Sequence, residues 1–127
     1  MQEHHLFEYA VLRVVPKVER EEFINVGIIL YCKKLKFLRC MFTLNKQRLL
    51  ALCDKLDVDE VEEHLKAYER ICKGDEDGGP IGKLDTASRF RWLTAIRSTV
   101  VQTSKVHPGF CSDPEKEISK LHEQLVL

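Results

Sequence analysis

Three apolar segments with strand character occupy the first third of the chain. Residues 6–15 are rich in β-branched and aromatic side chains and end at Pro16, residues 23–32 follow a charged connection, and residues 36–42 follow a lysine-rich turn. Apolar side chains occupy both faces of the first segment, which predicts a central strand covered on both sides. Because the connections are short, we expect an antiparallel meander.

The second segment contains a glycine that predicts an irregular strand. Alternate positions from Ile24 to Cys32, including Val26, form a continuous apolar face, and Asn25 and Gly27 lie on the opposite face. A glycine inside a strand lowers stability and commonly marks a bulge or a close approach of another backbone. We therefore expect one of these at Gly27.

From Asn45 onward the apolar spacing follows a helical period. Asn45 is the predicted N-cap of a short helix, and Asp57 begins a longer helix that Gly74 ends. The longer helix carries the strongest helical signal in the chain, because its apolar positions recur at steps of three and four. These positions are Val58, Val61, Leu65, Tyr68 and Cys72.

The C-terminal half completes a mixed architecture. The pattern predicts a glycine-rich loop over residues 75–85, a short helix over 86–95, a fourth strand over 98–103 and a last helix that starts at residues 112–115. No repeat or long linker divides the chain, so residues 1–127 are predicted to form a single domain. The predicted fold class is α+β, with an antiparallel sheet of three to four strands and about four helices packed against it.

Composition and charge exclude several classes of protein. The 127 residues are 44% hydrophobic and carry 20 basic and 20 acidic side chains, so the net charge is zero. General attraction to nucleic acid or to anionic lipid needs an excess of cations, and nucleic acid is therefore an unfavoured partner. No apolar run approaches the roughly 18 residues of a membrane helix, and residues 1–5 lack the pattern of an export leader.

The cysteines and histidines predict neither a disulfide framework nor a metal site. The five cysteines are an odd set without a CxxC pair, so reduced, mostly buried thiols in a cytoplasmic protein are expected. His4 and His5 are adjacent and point to opposite sides of an extended chain. The sequence also lacks GxSxG, GxxxxGK[ST] and GxGxxG. We expect no cofactor, and Gly78–Gly82 is interpreted as a tight turn or lid.

Residues 89–109 form the most polar part of the chain. Arg89 and Arg97 lie close in sequence to Ser98 and Gln102, and guanidinium and hydroxyl groups are donors that bind phosphate or carboxylate. The alternative is a solvated edge strand joined to a helix whose arginines pair with surface carboxylates. His107 is either a general base or an ordinary exposed histidine.

Arg13 and Asn25 are polar residues inside otherwise apolar strands. They either line a pocket or fix the turn between the two strands, in which case Glu21 or Glu22 is the expected partner of Arg13. The candidate ligand-binding residues are thus Arg13, Asn25, Arg89, Arg97, Ser98, Gln102 and His107, with no catalytic residue assigned.

Several blocks of the sequence are similar to those of one bacterial family. Residues 7–32, ERICKG, GPIG, RFRWLTAIRSTVVQTS and VHPG occur in the order found in the DUF3037 family, whose function is unknown. The resemblance extends from Phe7 to the last helix. It implies a small stand-alone protein, in some cases encoded beside a HipA-like kinase, and hence a partner or regulator of such a kinase in a toxin–antitoxin-like pair.

Three functional hypotheses follow. The first is a non-enzymatic interaction or regulatory module that binds a protein partner through the polar strand and a sheet edge. The second is a phosphate- or nucleotide-binding protein or small enzyme that uses residues 89–109. The third is a weak nucleic-acid binder that uses Arg89, Arg91, Arg97 and Lys105. The missing catalytic spacing disfavours an enzyme, and the oligomeric state is left open.

Overall fold

A computed structural model describes residues 3–127, which form one antiparallel sheet with helices on both faces. The sequence prediction that residues 1–5 lack an export leader includes residues 1 and 2, which lie outside the described residues. The strands are β1 (His5–Val14), β2 (Ile24–Cys32), β3 (Phe37–Phe42), β4 (Val101–Thr103) and β5 (His107–Cys111). The helices are α1 (Lys46–Leu52), α2 (Val58–Lys73), α3 (Gly79–Gly82), α4 (Thr86–Leu93) and α5 (Pro114–Leu125).

The α+β class is confirmed, and the described residues hold one strand more than the sequence predicts. The sheet runs β3-β2-β1-β4, and β5 also pairs with β1. The predicted fourth strand is shorter than expected, because residues 98–100 are irregular. The fifth strand was not predicted, since His107-Pro108-Gly109 has the composition of a loop. The meander of β1, β2 and β3 is confirmed.

Strands β4 and β5 act as one bulged edge strand. Leu12 lies opposite Thr103 and Tyr9 lies opposite His107, so the β4–β5 side holds one residue more than β1 between these pairs. Ser104 fills the irregular step, because its hydroxyl accepts a hydrogen bond from the Val11 N–H at 2.8 Å. The buried amide therefore keeps a partner where the regular ladder breaks.

The irregularity predicted at Gly27 is a β-bulge. The register shifts where Leu12 faces Gly27 and Arg13 faces Asn25, which leaves Val26 as the extra residue. A Cβ on Gly27 would lie 2.6 Å from the Met41 carbonyl oxygen, so any larger residue would force the backbone of β3 to shift.

The bulge reverses the faces of the residues before it. Ile24 and Val26 pack with one core cluster, whereas Ile28, Leu30 and Cys32 pack with the other. The continuous apolar face predicted from Ile24 to Cys32 is therefore wrong, because the extra residue changes the alternation.

Two cores lie on opposite faces of the sheet. On the first face, here called the α2 face, Leu12, Val14 and Ile29 pack with buried residues of α1, α2 and α4. On the second, the α5 face, Phe7, Val11 and Ile28 pack with α5. The prediction that β1 is a central strand with two apolar faces is confirmed.

Local helix signals correspond closely to the structure. Asn45 and Asp57 accept the expected capping hydrogen bonds, from the N–H groups of Arg48 and Glu60. Gly74 ends α2 with a φ of 69°, a conformation that glycine adopts without steric cost. The loop predicted over residues 75–85 instead contains a 3₁₀ turn and the short helix α3.

Candidate functional site

Three of the predicted site residues form a row across the sheet. Arg13 lies opposite Asn25 of β2 and opposite Gln102 of β4. Directly opposed residues of an antiparallel pair project to the same face. Arg13 alternates with Val11 and Phe7, so the row lies on the α5 face.

Arg13 does not form the expected ion pair. Its guanidinium carbon lies 4.0 Å from the centroid of the Phe23 ring, whereas Glu22 pairs with Arg20. The Nε atom of Arg13 is buried without a hydrogen-bond partner among the described residues. A cation above an aromatic face is stabilised by the ring quadrupole, which replaces the carboxylate that the sequence suggested.

The amides of the row bind nearby backbone. Asn25 Nδ2 donates to the Leu125 carbonyl oxygen at 3.2 Å, which joins β2 to the end of α5. Gln102 Nε2 donates to the Thr99 carbonyl oxygen at 2.8 Å. Both amides therefore have a structural role in the free protein.

His107 also lies on the α5 face, because it is opposite Tyr9 of β1. The two rings are 5.4 Å apart and tilted by 37°. His107 therefore packs against an aromatic ring in β5, and it is not the exposed loop histidine that the sequence suggested.

Arg89 caps the C-terminal end of helix α2. Its Nη1 donates to the carbonyl oxygens of Ile71 and Cys72, both at 2.8 Å, and its Nε donates to Leu84 O at 3.1 Å. A fourth bond connects Nη2 to the Thr86 hydroxyl. Ile71 and Cys72 lie in the last turn of α2, where carbonyl oxygens lack the regular helical partner; the Gly74 N–H also donates to Ile71 O. The arginine therefore adds hydrogen bonds at this helix end and joins α4 to α2.

Arg97 has the same role at the end of α4. Its guanidinium donates to the carbonyl oxygens of Trp92 and Leu93 and to the Tyr68 hydroxyl, and it lies 4.4 Å from the Trp92 ring centroid. Burial raises the pKa of Tyr68, and the Arg97 charge acts in the opposite direction. Ser98, the next residue, is exposed.

The seven candidate residues therefore do not meet in one cleft. Arg13, Asn25, Gln102 and His107 lie on the α5 face, and Arg89 and Arg97 bind α2 and α4 on the opposite side of the sheet. A single pocket that uses the polar segment as a whole is not formed.

The exposed edge of β3 is a site that the sequence reasoning missed. An open groove of about 630 Å³ follows residues 36–42 along the whole strand. Glu69 and Lys73 of α2 line one side of this β3 groove, and Glu115 of α5 lines the other. No described strand lies beyond β3. The sequence did contain one signal for this edge, which is the order of the predicted meander. The third strand of a meander lies at the edge of the sheet unless a later strand pairs with it.

Alternate backbone groups of β3 point into the groove. The Thr43 N–H binds the Val26 carbonyl oxygen, and Met41 lies opposite Ile28, so odd-numbered residues of β3 bind β2. In an antiparallel ladder the intervening residues point away from the partner strand. Leu38, Cys40 and Phe42 therefore direct their N–H and C=O groups outward.

The opposite edge of the sheet is protected. Pro108 lies opposite Glu8 of β1, at a position whose backbone points away from β1. Proline has no N–H, so one donor is missing from the outer side of β5, and the bulge at Ser104 interrupts the strand further. No proline or bulge occurs in β3.

The charges along the β3 groove are nearly balanced. Arg39 is the one charged residue within β3, and its Nη1 forms a salt bridge with Glu115 of α5. Burial raises the pKa of Cys40 and raises that of Cys72 to about 12. Burial thus disfavours the thiolate form of both cysteines.

In the described part of the chain, no group of three or more His, Cys, Asp or Glu side chains is placed to hold a metal ion, and no helix is long and apolar enough to cross a membrane.

Comparisons with known proteins assign a family and nothing more specific. No curated protein and no solved structure matches the chain. The model of a family described as protein of unknown function (DUF3037) matches residues 9–126. The chain therefore belongs to the DUF3037 family.

Proposed function

We propose that this protein is a non-enzymatic interaction module that binds an extended segment of a partner protein along the β3 groove. The observation that carries the proposal is the free edge of β3, a strand of six residues with an open groove along it. Strand addition supplies the missing partners of the outward N–H and C=O groups of Leu38, Cys40 and Phe42.

The two helices beside the groove would cover the added strand. Its side chains would alternate between the two faces of the sheet, and α2 and α5 lie on those faces. Backbone hydrogen bonds would supply affinity, and Glu69, Lys73 and Glu115 would select the side chains of the partner. Because Arg39 is already neutralised by Glu115, the groove favours no strongly charged segment.

The positions of the arginines favour this hypothesis over the second and third. Arg89 and Arg97 donate their hydrogen bonds to backbone carbonyls, so a phosphate would have to displace contacts that join the helices. The zero net charge adds no general attraction to nucleic acid.

The family resemblance supplies a candidate partner. The resemblance implies that some members are encoded beside a HipA-like kinase. We therefore propose that this protein regulates such a kinase in a cytoplasmic, toxin–antitoxin-like pair. The partner of the β3 groove would then be an extended segment of the kinase.

Two proline substitutions, one on each edge of the sheet, test the site. Leu38→Pro removes an outward N–H of β3 and leaves the hydrogen bonds between β3 and β2 in place. Phe110→Pro removes an outward N–H of β5, the protected edge. Both variants are compared with the wild type for binding to a purified HipA-like kinase, by isothermal titration calorimetry.

We expect Leu38→Pro to weaken binding at least tenfold and Phe110→Pro to leave it unchanged. In the wild type, the amides of Leu38, Cys40 and Phe42 should become protected from hydrogen exchange when the kinase is added, a measurement that does not depend on how well the variants fold. Equal binding by both variants, or unchanged exchange at these amides, would contradict strand addition at β3.

A further inference from the structure

A second concave site lies on the α2 face, between the start of β1, the end of β2 and helix α4. It is a pocket of about 410 Å³, here called the basic pocket. Leu6, Tyr31 and Ala87 supply part of its apolar wall. Tyr31 is 7% exposed and its ring packs against Phe90 at 5.2 Å, so this side of the wall is fixed by the core.

Cations dominate the rim of the basic pocket. Lys33 and Lys34 come from the turn after β2, and Arg91 comes from α4, whereas Glu8 is the one carboxylate among the lining residues. The chain as a whole carries equal numbers of basic and acidic side chains. The excess of positive charge is therefore a local property of this pocket, where an apolar wall strengthens its field.

Arg91 differs from the other arginines of its segment. Arg89 and Arg97 bind backbone carbonyls, but the guanidinium of Arg91 forms neither a hydrogen bond nor a salt bridge with the described residues, and it is exposed. Lys33 and Lys34 are likewise exposed and form no salt bridge within residues 3–127. The three cations are thus free to bind an anion without breaking a structural contact.

We propose that the basic pocket binds a phosphorylated small molecule with an apolar or aromatic body. Its volume falls within the range of roughly 300–1,000 Å³ that is typical of small-molecule sites. A guanidinium fork and two ammonium groups match the charge and the several acceptors of a phosphate dianion. The body of the ligand would lie against Leu6, which is 54% exposed, and remove its apolar surface from water, while the largely buried Tyr31 ring forms the fixed wall beside it. This site is separate from the β3 groove and does not depend on the function proposed for that groove.

Phenyl phosphate is the probe that tests both parts of the proposal, because it joins a phosphate to an apolar ring. Inorganic phosphate lacks the ring and phenol lacks the charge, so calorimetric titration with the three compounds separates the two contributions. We expect the wild type to bind phenyl phosphate at least tenfold more tightly than either fragment compound. Arg91→Gln should weaken that binding at least tenfold, since hydrogen bonds to charged groups contribute about 1.5–3 kcal/mol.

The control is Lys120→Gln, which removes one exposed cation from α5, on the other face of the sheet. It should bind phenyl phosphate as the wild type does. Chemical shift changes should map to the amides of Leu6, Tyr31 and Ala87 in the wild type, whatever the behaviour of the variants.

Three results would overturn the proposal. The first is that the wild type shows no detectable binding of phenyl phosphate at ~10 mM, which is on the order of the weakest affinity expected of a specific site. The second is equal affinity of the wild type and Arg91→Gln for phenyl phosphate. The third is that the chemical shift changes map to other surfaces of the protein. Tighter binding of a short glutamate-rich peptide than of phenyl phosphate would also overturn it, and would indicate a docking surface for an acidic protein segment.

Discussion

Replacing Arg89 with methionine tests whether the arginines of the polar segment stabilise the fold or serve a ligand. Methionine keeps most of the length and apolar contact of the side chain and removes the guanidinium. The substitution therefore removes the bonds to Ile71 O, Cys72 O, Leu84 O and Thr86 Oγ1. Cys72 O then loses the arginine as its partner in a partly buried position, and Ile71 O keeps only the hydrogen bond from the Gly74 N–H.

The expected loss of unfolding free energy is about 3 kcal/mol. The two part-buried bonds to Ile71 and Cys72 are 2.8 Å long, and each contributes about 1–1.5 kcal/mol net. The bonds to Leu84 and Thr86 are longer, at 3.1 and 3.2 Å, and together they add about 0.5 kcal/mol. For a chain of 127 residues, a loss of this size lowers the melting temperature by about 10 °C.

Urea unfolding followed by tryptophan fluorescence measures this loss. The chain has a single tryptophan, and Trp92 lies on the same helix as Arg89, so the signal reports on the docking of α4. Arg91→Met is the matched control, because Arg91 lies two residues further along α4 and is exposed. It should change the free energy of unfolding by less than about 0.5 kcal/mol.

The reasoning is refuted if Arg89→Met is no more destabilised than Arg91→Met. Arg89 would then contribute little to the packing of α2 against α4, and its guanidinium would again be a candidate ligand-binding group. A change in the slope of unfolding free energy against urea would instead indicate a different unfolded state or an intermediate.

Three further substitutions probe the sheet and the core. Gly27→Ala should lower the unfolding free energy by about 2 kcal/mol, measured by urea unfolding, because its Cβ would lie 2.6 Å from the Met41 carbonyl oxygen. Ser104→Ala should lower it by about 1–3 kcal/mol in the same assay, because the Val11 N–H loses its buried partner. Burial lowers the pKa of His122 below 6.5, so the unfolded chain binds a proton more readily, and stability should decrease as the pH falls below about 6.5. His122→Gln should make this pH dependence less steep. The measurement is the unfolding free energy between about pH 7.5 and 5.5, a window of about one unit on each side of the ordinary histidine pKa.

Each of these expectations has a result that contradicts it. Ser119→Ala is the control for Ser104→Ala, because it removes an exposed hydroxyl from α5, and equal stability of the two variants would show that the buried bond is unimportant. Wild-type stability in Gly27→Ala would mean that β3 moves away from the bulge at little cost. An unchanged pH profile in His122→Gln would assign the acid sensitivity to other groups, of which His64 is one, since burial also lowers its pKa.

Features with a local cause were predictable from the sequence. The caps at Asn45 and Asp57 and the end of α2 at Gly74 depend on residues within one helical turn. Gly27 was identifiable as an irregular position in the same way, since a glycine inside an apolar strand usually marks a bulge or a close backbone approach. The face of Ile24 was predicted wrongly because the bulge changes the alternation of the residues before it, and the continuous apolar face assumed an unbroken period of two.

Features that depend on distant backbone were not predictable from composition. Arg89 binds the end of a helix that lies 17 and 18 residues earlier in the chain, and nothing in its own neighbourhood indicates a carbonyl partner. Arg13 was assigned a carboxylate because a buried cation usually has one, whereas the ring of Phe23 takes that place. Strand β5 was missed because the Pro108-Gly109 pair is typical of a turn, and only its position at a sheet edge permits a proline there.

The unequal protection of the two sheet edges makes self-association the main competitor of partner binding. An uncovered apolar edge strand is a template for pairing with any extended chain, including a second copy of β3. Two copies related by a twofold axis would pair their β3 strands antiparallel and complete the outward bonds of Leu38, Cys40 and Phe42 in both. Light scattering over a hundredfold range of protein concentration distinguishes self-association from partner binding. A dimer that is lost in Leu38→Pro and retained in Phe110→Pro would show that a second copy binds in the groove. A monomer at every concentration, with exchange protection only when the kinase is present, would show that the groove binds the partner and not a second copy.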